Sequence, residues 1–169
     1  DLAWLQAATN RWLVTWDSEA YPPLLAQIPD APLVLYVEGD PMSLCLPQLA
    51  IVGSRNPTAL GRDTATEFAQ HLAQAGLAVT SGLALGIDAA AHRGALNAGA
   101  RTVAVVGRGL DAIYPRENAA LAQEIGEEAR GRVRRDAIKL RIRGHDGTHV
   151  TIFHGHLERN EVDFPQRPF

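Results

Sequence analysis

The sequence predicts an α/β fold: a doubly wound, mainly parallel sheet with a C-terminal β-hairpin tail. Three observations carry this. Apolar runs at residues 49–52, 77–80 and 102–106 lead into glycine turns at Gly53, Gly82 and Gly107. Those glycines stand 29 and 25 residues apart, the length of one strand–helix unit. A helical pattern follows each turn, so each link is expected to be a right-handed crossover. Strands of this kind turn sharply at their carboxyl ends, and the next helix opens with backbone N–H groups that favour an anion. Three such loops along one sheet edge make that edge the place to look for function.

Residues 1–48 form a lead-in. Trp12-Leu13-Val14-Thr15-Trp16 is a strand candidate, and Tyr21-Pro22-Pro23-Leu24-Leu25 suits a proline-started helical turn. Residues 32–40 are a β-rich run closed by Gly39-Asp40, and residues 42–46 suit one helical turn. The tryptophans and Tyr21 interleave with aliphatics rather than with Arg or Lys, which predicts packing rather than base stacking.

The core helices follow from periodicity. Residues 57–75 place Ala65, Phe68, Ala69, Leu72 and Ala75 at helical spacing, with Gly76 at the expected C′ position. Residues 87–98 predict a helix of small residues that can lie close to the sheet, and residues 116–129 predict another. Domain organisation is read as a core over residues 1–128 and a basic tail over 129–169. In the tail, residues 137–143 alternate apolar and basic, Gly144-His145-Asp146-Gly147 is a turn, and residues 149–153 are a second strand. Lys139, Arg141 and Arg143 would then point outward in a row that suits a phosphate backbone.

A chain of 169 residues, 46% hydrophobic, is long enough for one real core. Its net charge of −3 is unevenly spread. Residues 1–128 carry seven Arg and no Lys against 14 acids, a balance of −7; residues 129–169 carry nine Lys and Arg against five acids, a balance of +4. A basic tail on an acidic body suits either a nucleic-acid contact or a solvated surface. The single cysteine, Cys45, excludes an internal disulfide framework. No apolar run approaches the roughly 20 residues of a membrane span, and no basic-then-apolar leader is visible at the amino terminus. These features predict a cytoplasmic protein.

Four motifs carry chemistry. Gly53-Ser54-Arg55 joins a tight turn to a hydroxyl and a guanidinium, and Arg grips phosphate through a planar fork of donors. Asp88 and His92, four apart on a helix, could pair, bind metal or act as acid and base, but a capping Asp with a structural His fits better. Gly107-x-Gly109-x-x-Ala112 has the spacing of a dinucleotide fingerprint. The acids about 20 residues on, Glu127 and Glu128, fall in a helical pattern instead of near a strand, which argues against NAD. His145, His149, His154 and His156 cluster within twelve residues without a compact zinc spacing. No metal, cofactor or catalytic residue is expected.

Longer motifs carry a resemblance. Tyr21-Pro22-x-Leu24-Leu25, residues 32–39 and Ile51-Val52-Gly53-Ser54-Arg55 resemble the DNA-processing protein A family (DprA, or Smf). So do Ser81-Gly82-Leu83-Ala84-x-Gly86-Ile87-Asp88-x-x-Ala91-His92-x-Gly94-Ala95-Leu96 and Gly109-Leu110-Asp111-x-Ile113-Tyr114-Pro115-x-Glu117-Asn118. The resemblance covers about residues 12–126. It implies an extended Rossmann-like fold that binds single-stranded DNA without catalysis. It also implies a role in natural transformation: protecting incoming DNA, handing it to the RecA recombinase, and pairing as homodimers. The family's arginine in the Gly-Ser-Arg turn lies in a basic DNA pocket and corresponds to Arg55. Arg108 replaces a small residue or cysteine of the family and adds a charge there. Residues 129–163 depart from the family pattern. Phe164-Pro165-Gln166-Arg167 resembles the start of its later Phe-Pro-x-Arg-Asn motif, with Pro168 in place of Asn. The family's closing strands, winged-helix module and preceding helical domain are expected to be absent.

The leading expectation is therefore a single-stranded DNA-binding module. Gly53, Ser54, Arg55, Ser81, Gly82, Gly86, Gly107, Arg108 and Gly109 form its site, Arg55 and Arg108 being the leading contacts and Ser54, Ser81 and Gly82 supplying donors. The alternative is a nucleotide-binding or nucleotide-hydrolysing enzyme, for which Glu117 is the near carboxylate. A third reading is a shortened chain whose incomplete sheet leaves apolar surface exposed.

Overall fold

A computed structural model describes residues 2–107, 114–127 and 138–142. Among these residues six strands form one sheet in the order β1-β2-β6-β5-β4-β3. They are β1 (Arg11–Thr15), β2 (Val34–Glu38), β3 (Gln48–Ala50), β4 (Ala78–Ser81), β5 (Thr102–Val106) and β6 (Ile138–Ile142). Strands β3 to β6 run parallel, and the lead-in strands β1 and β2 add an antiparallel pair. The helices are α1 (Leu2–Gln6), α2 (Ala59–Gln74), α3 (Ile87–Asn97) and α4 (Ala119–Glu127). This is the α/β fold with a parallel core that the glycine-turn periodicity predicts, and β5 matches its expected bounds.

Local chemistry explains the helix ends. The Thr58 side chain accepts from Gly61 N–H and caps α2, and Gly76, at φ +92°, ends the helix at the expected C′ position. The 3-10 turn at Pro41–Cys45 falls where residues 42–46 predict a helical turn, while the one at Leu25–Gln27 begins only at the last residue of the turn expected at 21–25. In the second, Asp40 accepts from Met42 N–H.

Packing divides the two sheet faces. Alternation along β5 sends Val103 toward one face and Ala104 toward the other. The Val103 face packs Val14, Tyr21, Leu25, Leu35, Val37 and Leu44, so the lead-in covers it. Tyr21 also donates its hydroxyl to the Pro32 carbonyl at 2.6 Å. The opposite face carries α3 and α4 over Ala104, with Leu83, Leu96, Leu121, Ala122 and Ile125. Beside it α2 and α3 meet through Ala69, Ala73, Ala91 and Ala95 over Val79. A Cβ on Gly94 would collide with the Thr66 carbonyl and lie 2.7 Å from the Ala69 Cβ, so glycine permits this close helix contact.

Three placements differ from the sequence reading. On α2 the buried stripe is Ala65, Ala69 and Ala73, and Phe68 is 56% exposed. The α3 backbone is too near for a bulky ring to fit between the helices. Trp12 and Trp16, expected to pack, are 46% and 55% exposed, because β1 is an edge strand with only Val14 buried. The strand expected at 137–143 is β6, and it fills the place between β5 and β2, pairing Lys139 with Ala104 and Glu38, and Arg141 with Val106 and Tyr36. The strand expected at 149–153, the turn before it, Arg143 and the four clustered histidines lie outside the described residues.

Candidate functional site

The carboxyl ends of β3, β4 and β5 lie side by side, so the loops after them share one edge. The loop after β3 carries Gly53, Ser54 and Arg55, all exposed. Its backbone is tied down at Ser54. The Ser54 carbonyl accepts from Ile87 N–H at 3.1 Å, and its hydroxyl accepts from Asn56 N–H at 3.1 Å. The first of these joins the loop to the start of α3.

Gly86 makes that junction possible. At φ +82° it adopts a conformation that L side chains rarely take. A Cβ there would strike the Ser54 carbonyl and come within 2.7 Å of the Pro57 Cδ. Gly53 faces Ile87, whose Cγ1 would lie 2.9 Å from an added Cβ. The turn bearing Arg55 therefore rests directly on the amino end of α3.

The loop after β4 is satisfied inward. The Asp88 carboxylate accepts from Gly82 N–H at 3.2 Å and Ala84 N–H at 3.3 Å. From the other side the Asn118 amide donates to the carbonyls of Leu83 at 2.9 Å and Ala84 at 3.1 Å. One carboxylate takes the loop's donors and one amide takes its acceptors, which holds Leu83 at φ +59° with its side chain buried. The sequence reading makes Asp88 a cap for its own helix. In the structure it sits in the first turn of α3, where its charge suits the dipole, and bonds the preceding loop.

These bonds sort the expected site residues. Ser81 is buried and donates its hydroxyl to the Ile51 carbonyl at 2.6 Å. The Gly82 amide is held by Asp88. Neither faces solvent as a donor in this arrangement, and both shape the edge instead. Gly86 joins the loops, and Gly107 is exposed at the end of β5. Arg108 and Gly109 lie outside the described residues. Asn118 is the participant the sequence reading did not single out. Its signal is an Asn held on a proline-led turn just ahead of a helical pattern.

His92 has no acid–base role in this geometry. It is fully buried, with Nδ1 2.7 Å from the Thr102 Oγ1. The Thr102 hydroxyl proton goes to the Val79 carbonyl at 2.7 Å, so Nδ1 carries the ring proton and donates. Nε2 has no hydrogen-bond partner among the described residues. Burial pushes the pKa of His92 down to about 3, and the Ser81 backbone opposes that shift. Among the described residues no cluster of His, Cys, Asp and Glu could hold a metal ion. No helix among them is long and apolar enough to cross a membrane.

The edge just described coincides with the region shared with known proteins. The sequence model for DNA recombination-mediator protein A matches residues 12–133. The chain belongs to that family. It is 43% identical over 127 residues to the protein Smf of Escherichia coli, covering 75% of this chain and 34% of that one. It is 42% identical over 110 residues to the DNA processing protein DprA of Streptococcus pneumoniae, covering 65% and 39%. The chain thus spans a third to two fifths of the length of these two relatives. Among solved structures, DprA from Streptococcus pneumoniae superposes with a TM-score of 0.70 at 36% identity, covering 86% of this chain and 48% of that one. DNA processing protein A from Helicobacter pylori, whose structure was described for its single-stranded DNA binding mode, superposes with a TM-score of 0.63 at 28% identity, covering 83% and 58%. The DprA fold is Rossmann-like, as the resemblance in the motifs implies.

Proposed function

We propose that this member of the DNA recombination-mediator family binds single-stranded DNA, without catalysis, across the carboxyl edge of β3, β4 and β5. The observation that carries the proposal is Arg55: an exposed guanidinium on a turn whose backbone is locked to α3. A fixed backbone beneath a mobile cation suits a phosphate, because the fork of donors is presented without ordering a loop on binding. Ser54, Gly53 and Gly107 lie exposed along the same edge. Arg108 and Gly109 complete the proposed contact set. In the cell the bound strand would be protected during natural transformation and passed to the RecA recombinase, with homodimers as the working form in the cytoplasm.

Hydrolysis of a nucleotide fits this edge less well. The Gly82 and Ala84 amides that could cradle a phosphate already hold the chain's own Asp88 carboxylate. Glu117 is exposed and would have to act without that cradle. Binding of labelled oligo-dT by the wild type and Arg55→Ala across a salt series tests the reading. Binding should weaken as salt rises, with a smaller salt dependence in the mutant. Each phosphate that a cation neutralises on a single strand contributes about 0.7 to the log–log slope, so deleting one guanidinium should lower the slope by that amount. Release of free base from mononucleotides, or a salt-independent mutant effect, would refute it.

A further inference from the structure

Phosphate contacts alone leave the bases unaddressed, and proteins that hold single strands usually stack them on aromatic faces. At the described edge one ring is placed for this. Tyr114 is 62% exposed, and the chain after it is firmly anchored. Pro115 is buried, its carbonyl accepts from Asn118 N–H at 3.1 Å, and the Asn118 side chain is bonded to the Leu83–Ala84 backbone. The same anchor that fixes the loop after β4 therefore fixes the stem of Tyr114. Arg116, also exposed, follows two residues on.

Resting on the DNA-binding reading above, we infer that Tyr114 is the stacking platform for one base of the strand whose phosphate Arg55 holds. Arg55 comes after β3 and Tyr114 after β5, and the ends of those strands are two strand spacings apart, about 10 Å across the sheet. That separation is of the order of one to two nucleotides. A ring with only two side-chain torsions, on an anchored stem, loses little freedom when a base lands on it. Among the described residues the other exposed ring at this end of the sheet, Trp16, directly follows β1 and is itself followed by Asp17 and Glu19, whose charges oppose a phosphate backbone. Phe68 is exposed on α2, away from the strand ends.

The test compares Tyr114→Ala, Tyr114→Phe and the control Phe68→Ala, each binding oligo-dT and an abasic phosphodiester chain of equal length. Tyr114→Ala should bind oligo-dT roughly 5- to 150-fold more weakly than wild type, with an unchanged salt slope. Tyr114→Phe and Phe68→Ala should bind as wild type does. On the abasic chain Tyr114→Ala and wild type should bind equally, which also shows that the mutant retains its phosphate site. Equal binding of oligo-dT by Tyr114→Ala, or a loss that persists on the abasic chain, overturns the assignment and leaves the DNA-binding reading standing. Failure of the wild type to bind oligo-dT at any salt overturns both.

Discussion

Two loops at the same sheet edge, built from the same strand–glycine–helix pattern, have opposite polar economies. After β4, the Gly82 and Ala84 amides are paired with Asp88 and the Leu83 and Ala84 carbonyls with Asn118, and Ser81 just before them is paired with Ile51. After β3, Ser54 is tied by its backbone, and the Arg55 side chain is left in solvent. The first loop is bonded inward, and the second presents its side chain to solvent, where the proposed function places the contact. A buried loop must satisfy its own polar groups, whereas an exposed one can hold them ready for a ligand.

Breaking the junction between the loops should have the largest effect. Gly86→Ala combines a strained φ with collisions at Ser54 and Pro57, and should cost about 4 kcal/mol, read as a lowered denaturation midpoint. Acid should act next, through the floor beneath the inward loop. The folded pKa of His92, about 3, lies below its ordinary value of 6.5. The unfolded chain therefore takes up the proton first as pH falls. Stability is complete above about pH 6.5 and declines by up to about 1.4 kcal/mol per pH unit below it, until the folded group also titrates. Urea denaturation from pH 7 to 4 should show this slope, and His92→Gln should flatten it.

Removing one side of the clamp is a smaller step. Asn118→Ala leaves the Leu83 and Ala84 carbonyls without their donor and should destabilise by about 2 kcal/mol, with oligo-dT affinity falling in parallel. An unchanged midpoint would show that the clamp adds nothing to the loop. Arg55→Ala should shift the midpoint by less than about 0.5 kcal/mol, since an exposed cation contributes little to folding. Its effect should instead fall on DNA binding. The contrast between the last two variants, stability against binding, is the sharpest test of the division between scaffold and contact.

Much of this was legible in the chain itself. Apolar runs ending in glycine located β4, β5 and the loop-bearing edge, because a buried parallel strand is mostly apolar and its tight exit favours glycine. Gly76 marked the end of α2 because a C′ residue at positive φ is usually glycine. Arg55 stood out because it sits on a glycine turn at a strand end, where a guanidinium can grip phosphate. Local rules of this kind depend on a few neighbouring residues, and the sequence by itself determined them.

Tertiary structure decided the rest. The place of β6 between β5 and β2 depends on partners 35 or more residues away, and alternation within residues 137–143 says that a strand forms, not what it pairs with. Phe68 has helical spacing with Ala65 and Ala69, yet the close approach of α3 at Gly94 admits only the alanines. Asp88 and Asn118 look like separate polar residues 30 positions apart, and only the fold brings one loop between them. Sequence periodicity reports which groups must leave water. Which donor then meets which acceptor is settled by packing, because a buried polar group takes whatever partner the assembled sheet and helices place within reach.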